Sequence, residues 1–515
     1  MFIKSKIVRD TALLTAMQLF LDTAALLLNV FITKQMGSSA IGILSLMGSF
    51  LGLAGILSNG NAFICTSRLI SEELGKSCGN PNRILSHGLK LCLILSTAVS
   101  LVILTFAEGI SLRFFSGAHM TAAIRFMPIA LVTGAVSACI KGYFNASRKA
   151  AVTAIGDIAE FAARCGVIVV FSLVRGVAGE GAVCDIMIGG IIAGNCVSML
   201  YLGISYLCTH KKYRTECSLS FREYAAFSLP IMGGGILTAV LSSTNDALIP
   251  VCLRMYGDSA GDALGKFGIF EAIVIPALFF PSVVLCSMSG IIVSEAARAA
   301  AAGNRQRIRC FTERLKAWTL MFSVFSAAVI MRFGGMIGDK LGGGELAGRI
   351  ITMIAPVIPF IYMEIVLEAL IKGLGLQSFS SANYLFEYII RIAAVVILIP
   401  RIGFFGVVVS YYASNIFGNC MRFVKVIRVT GARAALCGTL IFPVILAIGT
   451  MSAAELFFRL TNNKIEGTAD MLFFGIIWGG AYFAVFSALG KVKLFSKCGE
   501  EDFSDTAQQT VSRVI

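Results

Sequence analysis

The chain has 515 residues, 57% of them hydrophobic and only 14% charged, with a formal net charge of +14. A water-soluble protein of this length could not enclose so much apolar surface, so the composition is that of a membrane protein. In a soluble chain the positive balance would suggest nucleic acid; here it is sorted by loop, as shown below, and no nucleic-acid partner is inferred.

A helix needs about 20 apolar residues to cross a hydrocarbon core of roughly 30 Å. Fourteen segments qualify in chain order: 11–32, 41–66, 89–106, 121–140, 151–174, 186–207, 225–251, 267–293, 315–331, 350–371, 384–399, 404–424, 434–453 and 471–489. The first is followed by no small-residue cleavage site and reads as a helix, not a removable signal. The expected fold class is therefore an all-α polytopic membrane protein. With a cytoplasmic N-terminus, one set of loops collects Lys4, Lys6, Arg9, Arg68, Lys76, Arg83, Arg148, Lys149, Lys211, Lys212 and Arg214. It continues with Arg298 to Lys316, Arg422 to Arg433, and Lys491 to Lys497. The opposite loops hold little beyond Lys34, Arg113, Arg175, Arg254 and Lys340. The positive-inside rule then predicts both termini in the cytoplasm.

The chain also repeats itself after roughly 225 residues. Ser71-Glu72, Gly79-Asn80 and Arg83-Ile84 return as Ser294-Glu295, Gly303-Asn304 and Arg307-Ile308. Ile140-Lys141-Gly142 returns as Ile371-Lys372-Gly373, and Glu160-x-x-x-Arg164 as Glu387-x-x-x-Arg391. Residues 1–210 and 222–430 thus read as two six-helix lobes. Each has an even number of spans, so the copies are parallel and related by an axis along the membrane normal, an arrangement common in secondary transporters. Two further helices, 432–490, and a polar tail, 491–515, lie outside the duplication.

No phosphate-binding loop, no G-x-S-x-G elbow and no H-E-x-x-H motif occurs, so no enzyme is expected. Fifteen cysteines fall mostly inside apolar spans, for example Cys65, Cys92, Cys139, Cys165, Cys196 and Cys286, and none forms a C-x-x-C pair. They read as small buried hydrophobes. The three histidines, His87, His119 and His210, have no ligand spacing, so neither a metal nor a cofactor is expected.

Charges inside apolar spans are functional candidates. Glu160 with Arg164, and Glu387 with Arg391, sit four apart on one helix face each. Either each pair is a structural clip, or the arginines grip a diphosphate through bidentate hydrogen bonds. Lys141 and Lys372 close the fourth and tenth spans, as snorkelling lysines or as ligand contacts. Asp22 lies at the midpoint of the first span, Asp246 in the seventh, and Glu364 and Glu368 one turn apart in the tenth. Such carboxyl groups can take up a proton or sodium ion, or can be neutralised by a partner on another helix. Pro230 followed by Gly233, Gly234 and Gly235 predicts a kink or unwound turn and a hinge in the seventh span. Gly48-x-x-x-Gly52 predicts a close helix contact.

Taken together, Ser67-Arg68-Leu69-Ile70 with Glu72-Glu73, Lys141-Gly142-Tyr143-Phe144, Glu160-x-x-x-Arg164 and Ser228-Leu229-Pro230 resemble the stage V sporulation protein B family. That family belongs to the superfamily of multidrug, oligosaccharidyl-lipid and polysaccharide flippases, and the resemblance covers about residues 5–430. It implies two six-helix bundles in a V, and transport of undecaprenyl-linked sugars, lipid II above all, from the inner to the outer leaflet of a bacterial plasma membrane. From the charges themselves, the substrate-binding candidates are Arg164, Arg391, Glu160, Glu387, Lys141, Lys372 and Arg68. The protein is expected to work as a monomer among membrane lipids, with H+ or Na+ coupling. Family members often carry a basic residue in the first helix, where this chain has Asp22. An acidic cavity is what multidrug and toxic-compound exporters use for organic cations, so a cation-coupled exporter of that type is the alternative. A catalytically inert membrane scaffold is the third reading.

Overall fold

A computed structural model describes residues 2–74, 80–114, 120–147, 149–175, 180–209, 219–301, 305–433, 436–461 and 467–493. Gly79, Arg148, His119, His210, the basic cluster Lys211, Lys212 and Arg214, the repeated Gly303-Asn304 and the tail from residue 494 lie outside the described residues. Among the described residues the regular structure is helical: α1 (Phe2–Met36), α2 (Ser38–Asn59), α3 (Ala62–Leu74), α4 (Pro81–Thr105), α5 (Ala107–Phe114), α6 (Thr121–Ala146) and α7 (Ala150–Arg175). There follow α8 (Glu180–Thr209), α9 (Phe221–Tyr256), α10 (Ala260–Ile269), α11 (Ile275–Phe279), α12 (Val283–Ala301), α13 (Arg305–Lys340) and α14 (Gly344–Ile354). The last are α15 (Ile358–Gly373), α16 (Gln377–Ile402), α17 (Phe405–Thr430), α18 (Leu436–Leu460) and α19 (Thr468–Lys493).

Eleven segments among the described residues are long and apolar enough to cross a membrane. Three of the fourteen expected spans, on α7, α16 and α17, are not in that group although each helix has 26 residues. They contain Asp157, Glu160 and Arg164, Glu387 and Arg391, and Arg422, so the intramembrane charges lower their hydropathy. Fourteen spans remain compatible with this structure. Three expected spans are built from broken helices. The second bends at Gly60 and Asn61, both in the left-handed region with φ of 56°. There glycine is unstrained, and asparagine is among the few other residues that tolerate the conformation. The eighth carries a π-turn, Phe270–Val274, and a 3-10 turn, Phe280–Ser282. The tenth is interrupted at Ala355–Val357, where Pro356 and Pro359 withhold backbone donors.

Helix starts follow capping rules. Asn80 accepts from the Arg83 amide at 3.3 Å ahead of Pro81, and Ser220 with Glu223 forms a capping box at the start of α9.

The chain divides into two compact units. One comprises Met1–Val283, Gly338–Ala347 and Tyr384–Ala413; the other, Val284–Ile337, Gly348–Asn383 and Ser414–Ile515. In the first, Cys65, Ile70, Cys92, Cys139, Phe144, Leu202 and Tyr224 are core residues on α3, α4, α6, α8 and α9. Its tightest contact joins α2 to α10: a side chain at Gly42 would collide with the Leu264 carbonyl, and one at Gly268 with the Gly42 backbone. The close contact expected at Gly48-x-x-x-Gly52 is corrected here, because no atom of the described residues lies within 4 Å of a Cβ built at either position. Gly42, one turn and a half earlier, carries the contact. In the second unit, α18 and α19 pack on α13 through Phe325, Phe333, Phe458, Phe474, Trp478 and Tyr482. Phe325 stacks on Tyr482 at 5.0 Å and meets Trp478 edge-on at 5.4 Å.

Candidate functional site

Charged residues within the helices form three clusters, two in the first compact unit and one in the second. The first is on α6 and α7. Lys141 Nζ lies 2.7 Å from Asp157 and 3.0 Å from Glu160, and the second carboxylate oxygen of Glu160 holds Arg164 at 3.0 Å. Lys141 is therefore not a snorkelling lysine; it turns sideways to bridge two carboxylates one turn apart. Two acids and two bases balance, the condition under which charges are tolerated in a low dielectric. The Nε of Arg164 is buried without a hydrogen-bond partner among the described residues, so the guanidinium keeps a donor in reserve. α8 fixes this face, since a side chain at Gly194 would stand 2.7 Å from the Glu160 carbonyl.

The second cluster gathers α2, α9, the π-turn and α16. Asp246 accepts a short hydrogen bond from Ser49 and another from Asn245 at 3.2 Å. Arg391 pairs with Glu387 at 3.3 Å and lies over the rings of Tyr388 at 5.3 Å and Tyr411 at 4.9 Å. Its charge also acts on Asp246 and on Glu271, which repel each other. Glu387 is the carboxylate paired with Arg391, and Asp246 and Glu271 lie within range of its charge. The Asn245 side-chain oxygen is buried and has no hydrogen-bond partner among the described residues. Glu271 sits inside the π-turn, a local widening that is frequent at functional sites.

The third cluster is on α15 and α17. Arg422, with no exposed side-chain surface, lies 3.1 Å from Glu364 and 3.5 Å from Glu368. Glu368 also accepts from Ser380 and sits 3.4 Å from Lys372. Glu364 and Glu368 thus both face the Arg422 guanidinium in this structure.

The remaining expected residues are dispersed. Arg68 on α3 is exposed and stacks on Phe227 of α9 at 5.0 Å. Asp22 accepts from Gln18 at 2.8 Å within α1. α9 runs from Phe221 to Tyr256 as one continuous helix, so of the expected kink or unwound turn the unwound turn does not form. A side chain at Gly235 would strike the Asn61 amide, at 2.5 Å, whereas Gly233 and Gly234 face open space among the described residues. The repeated Lys-Gly pairs have a common structural use. A Cβ at Gly142 would stand 2.9 Å from the Phe63 carbonyl of α3, and one at Gly373 2.7 Å from the Val293 carbonyl of α12. In each case the glycine admits the end of the second span of its own half.

Sequence reading missed Asp157, Glu271 and the inward role of Arg422. Glu271 had a signal, being the sole charge in the span 267–293. Arg422 had none, because it opens a basic stretch that the inside rule already explained.

No protein-family model matches the chain. Stage V sporulation protein B of Bacillus subtilis (strain 168) is 19% identical over 469 residues, covering 88% of this chain and 89% of that protein. The resemblance read from the motifs is thus found again across most of the length. The solved structure described as "Lipid II flippase MurJ, inward closed conformation" matches with a TM-score of 0.71 and 14% identity, covering 93% of this chain and 99% of that one. An inward-facing multidrug resistance MATE family transporter of the MOP superfamily matches with a TM-score of 0.58 and 14% identity, over 80% of this chain and 96% of that one. The chain has this fold, and it is a multi-pass membrane protein.

Proposed function

We propose that this protein is a transporter of the multidrug, oligosaccharidyl-lipid and polysaccharide type. It moves a lipid-linked oligosaccharide, lipid II or a polysaccharide precursor, from the inner to the outer leaflet by alternating access. Its substrate serves cell-wall, spore-cortex or surface-polysaccharide synthesis. The observation that carries the reading is the placing of charge clusters inside helices whose fold matches the MurJ structure over nearly the whole chain. Such groups are costly in a membrane and are retained where an ion or polar ligand passes.

In this reading Arg164, which keeps a donor without a partner among the described residues, contacts the diphosphate, Arg391, Lys141 and Arg68 are further candidates in the same unit, and Lys372 is a separate candidate in the other, while Glu160 and Glu387 hold the arginines in place. Asp246 is the coupling group, because a single carboxyl held by Ser49 and Asn245 suffices to take up a proton. Asp22, Glu364 and Glu368 are secondary candidates for that role. Gly233 and Gly234, with no neighbour within 4 Å among the described residues, give α9 its flexibility beside Pro230 and Gly235. The orientation places both termini in the cytoplasm.

One observation favours a second reading, a cation-coupled exporter of organic cations. Asp246, Glu271 and Glu387 outnumber Arg391, leaving an acidic excess suited to a cationic ligand. Complementation separates the two. Rescue of cell-wall synthesis in a flippase-depleted bacterium supports the first. Resistance to ethidium or norfloxacin without rescue supports the second, and failure of both leaves the scaffold.

A further inference from the structure

Two thiols that the transport reading does not use lie against each other in the first compact unit. Cys92 Sγ on α4 is 3.3 Å from Cys139 Sγ on α6, and both are unbonded and buried. Their surroundings are specific. Cys92 donates toward the Asn59 carbonyl at 3.5 Å, where α2 ends. Thr66 on α3 lies 3.9 Å from Cys139 Sγ and hydrogen-bonds the Tyr224 hydroxyl of α9 at 2.8 Å. Gly88, one turn before Cys92, brings α4 close: a Cβ there would stand 2.8 Å from the Tyr224 hydroxyl and 3.3 Å from Cys139 Sγ. The two helices are thus held together around the sulfurs by close packing, which leaves the thiols few alternative positions. From sequence the pair is invisible, because the residues are far apart on separate spans and match no motif.

A disulfide requires a sulfur–sulfur distance of about 2.05 Å, roughly 1.3 Å shorter than the present separation, a shift within reach of small side-chain and helix adjustments. We propose that Cys92 and Cys139 form a modification site, an intramembrane dithiol that an oxidant of the peroxide class converts to a disulfide tying α4 to α6. One sulfur attacks a peroxide oxygen, the O–O bond breaks, and one water leaves, giving a sulfenic acid. The second thiol sulfur attacks the first, the S–O bond breaks, and the second water leaves. Two thiols give up two electrons and two protons, and hydrogen peroxide becomes two waters. Burial selects the oxidant: a small uncharged peroxide can reach the pair through the apolar interior, whereas a charged glutathione disulfide cannot.

The full-length protein in phospholipid nanodiscs is titrated with hydrogen peroxide, unfolded, alkylated with N-ethylmaleimide and mapped by mass spectrometry. The expected species carries the Cys92 and Cys139 peptides joined, lighter by about 2 Da than the sum of the reduced peptides. It should unfold several degrees higher than the reduced protein and return to its starting value with dithiothreitol. Glutathione disulfide should leave the pair alkylatable. The cross-link should be absent in Cys92→Ser and in Cys139→Ser and present in Cys65→Ser. The exposed Cys208 is the internal control. The proposal is overturned if Cys92 and Cys139 remain fully alkylatable after Cys208 is oxidised, or if either joins a different cysteine. The wild-type measurement decides alone, so a variant that folds poorly does not spare the proposal.

Discussion

Arg422 lies 3.1 Å from Glu364 with none of its side chain exposed. A guanidinium so placed has no access to water, and its charge is balanced inside the helix layer by two carboxylates on α15. Arg422→Met should therefore act on folding before it acts on transport. Removing one member of a buried ion-pair network costs about 3–5 kcal/mol, because the remaining charges lose their compensation. The expected outcome is a large fall in membrane protein level and in thermal stability, measured on the detergent-extracted protein. Adding Glu364→Gln and Glu368→Gln to Arg422→Met should recover much of the loss. A triple variant no better than the single one would show that Arg422 acts by packing.

Arg164 and Arg391 should separate. Arg164→Ala leaves Glu160 bonded to Lys141 at 3.0 Å, so no carboxylate is orphaned and the protein level should hold while transport falls. Losing a charge-assisted contact to a diphosphate should cost about 2–3 kcal/mol, on the order of a hundredfold in affinity. Arg391→Ala removes an ion pair and two aromatic faces at a side chain only 16% exposed, against 33% for Arg164, and should lower stability as well. In the double variant Glu160→Ala with Arg164→Ala, restored transport would refute a ligand role for Arg164.

The charged positions of the candidate site stand out in the sequence, for a reason particular to membranes. A charge in an apolar run stands out because the surroundings are so uniform, which is why Glu160, Arg164, Glu387, Arg391 and Asp246 were found. The partners were less legible, because partnership depends on rotation about the helix axis and on helix neighbours. Lys141 could equally have pointed to the interface. Arg422 could have belonged to the loop. Asp157 is one turn from Glu160 yet needed Lys141 beside it to acquire a role. The all-helical fold was legible, but not the breaks at Gly60 and Asn61 or the π-turn at Glu271, since these are settled by contacts with other helices.

The repeated glycines should respond alike. Gly142→Ala and Gly373→Ala each drive a methyl group into a backbone carbonyl, at 2.9 Å and 2.7 Å, and should each destabilise by about 1–3 kcal/mol. Gly48→Ala and Gly52→Ala, with no neighbour within 4 Å among the described residues, should be neutral or stabilising by up to about 1 kcal/mol. Thermal unfolding of the four variants in one detergent provides the comparison. Equal losses at all four would remove the special status of the Lys-Gly pairs.

Asp246→Asn should uncouple transport from its driving ion without lowering protein level, because an amide preserves the contact with Ser49 but can neither ionise nor take up a proton. Proteoliposomes with an imposed proton or sodium gradient provide the measurement. Wild-type flux should respond to one of the gradients and variant flux to neither. A variant as responsive as the wild type would move the coupling group to Asp22, Glu364 or Glu368.

The contact of Gly42 with Gly268 brings two backbones together with no side chain between them. Side chains at a helix interface can change rotamer and act as bearings, letting one helix slide over another in small steps. Bare peptide groups cannot. α2 and α10 pack backbone to backbone there, so a tilt of one that kept this contact would carry the other with it. Movement in this unit would then be taken up where the chain is already interrupted, at Gly60 and Asn61 on one side of the contact and at the π-turn on the other.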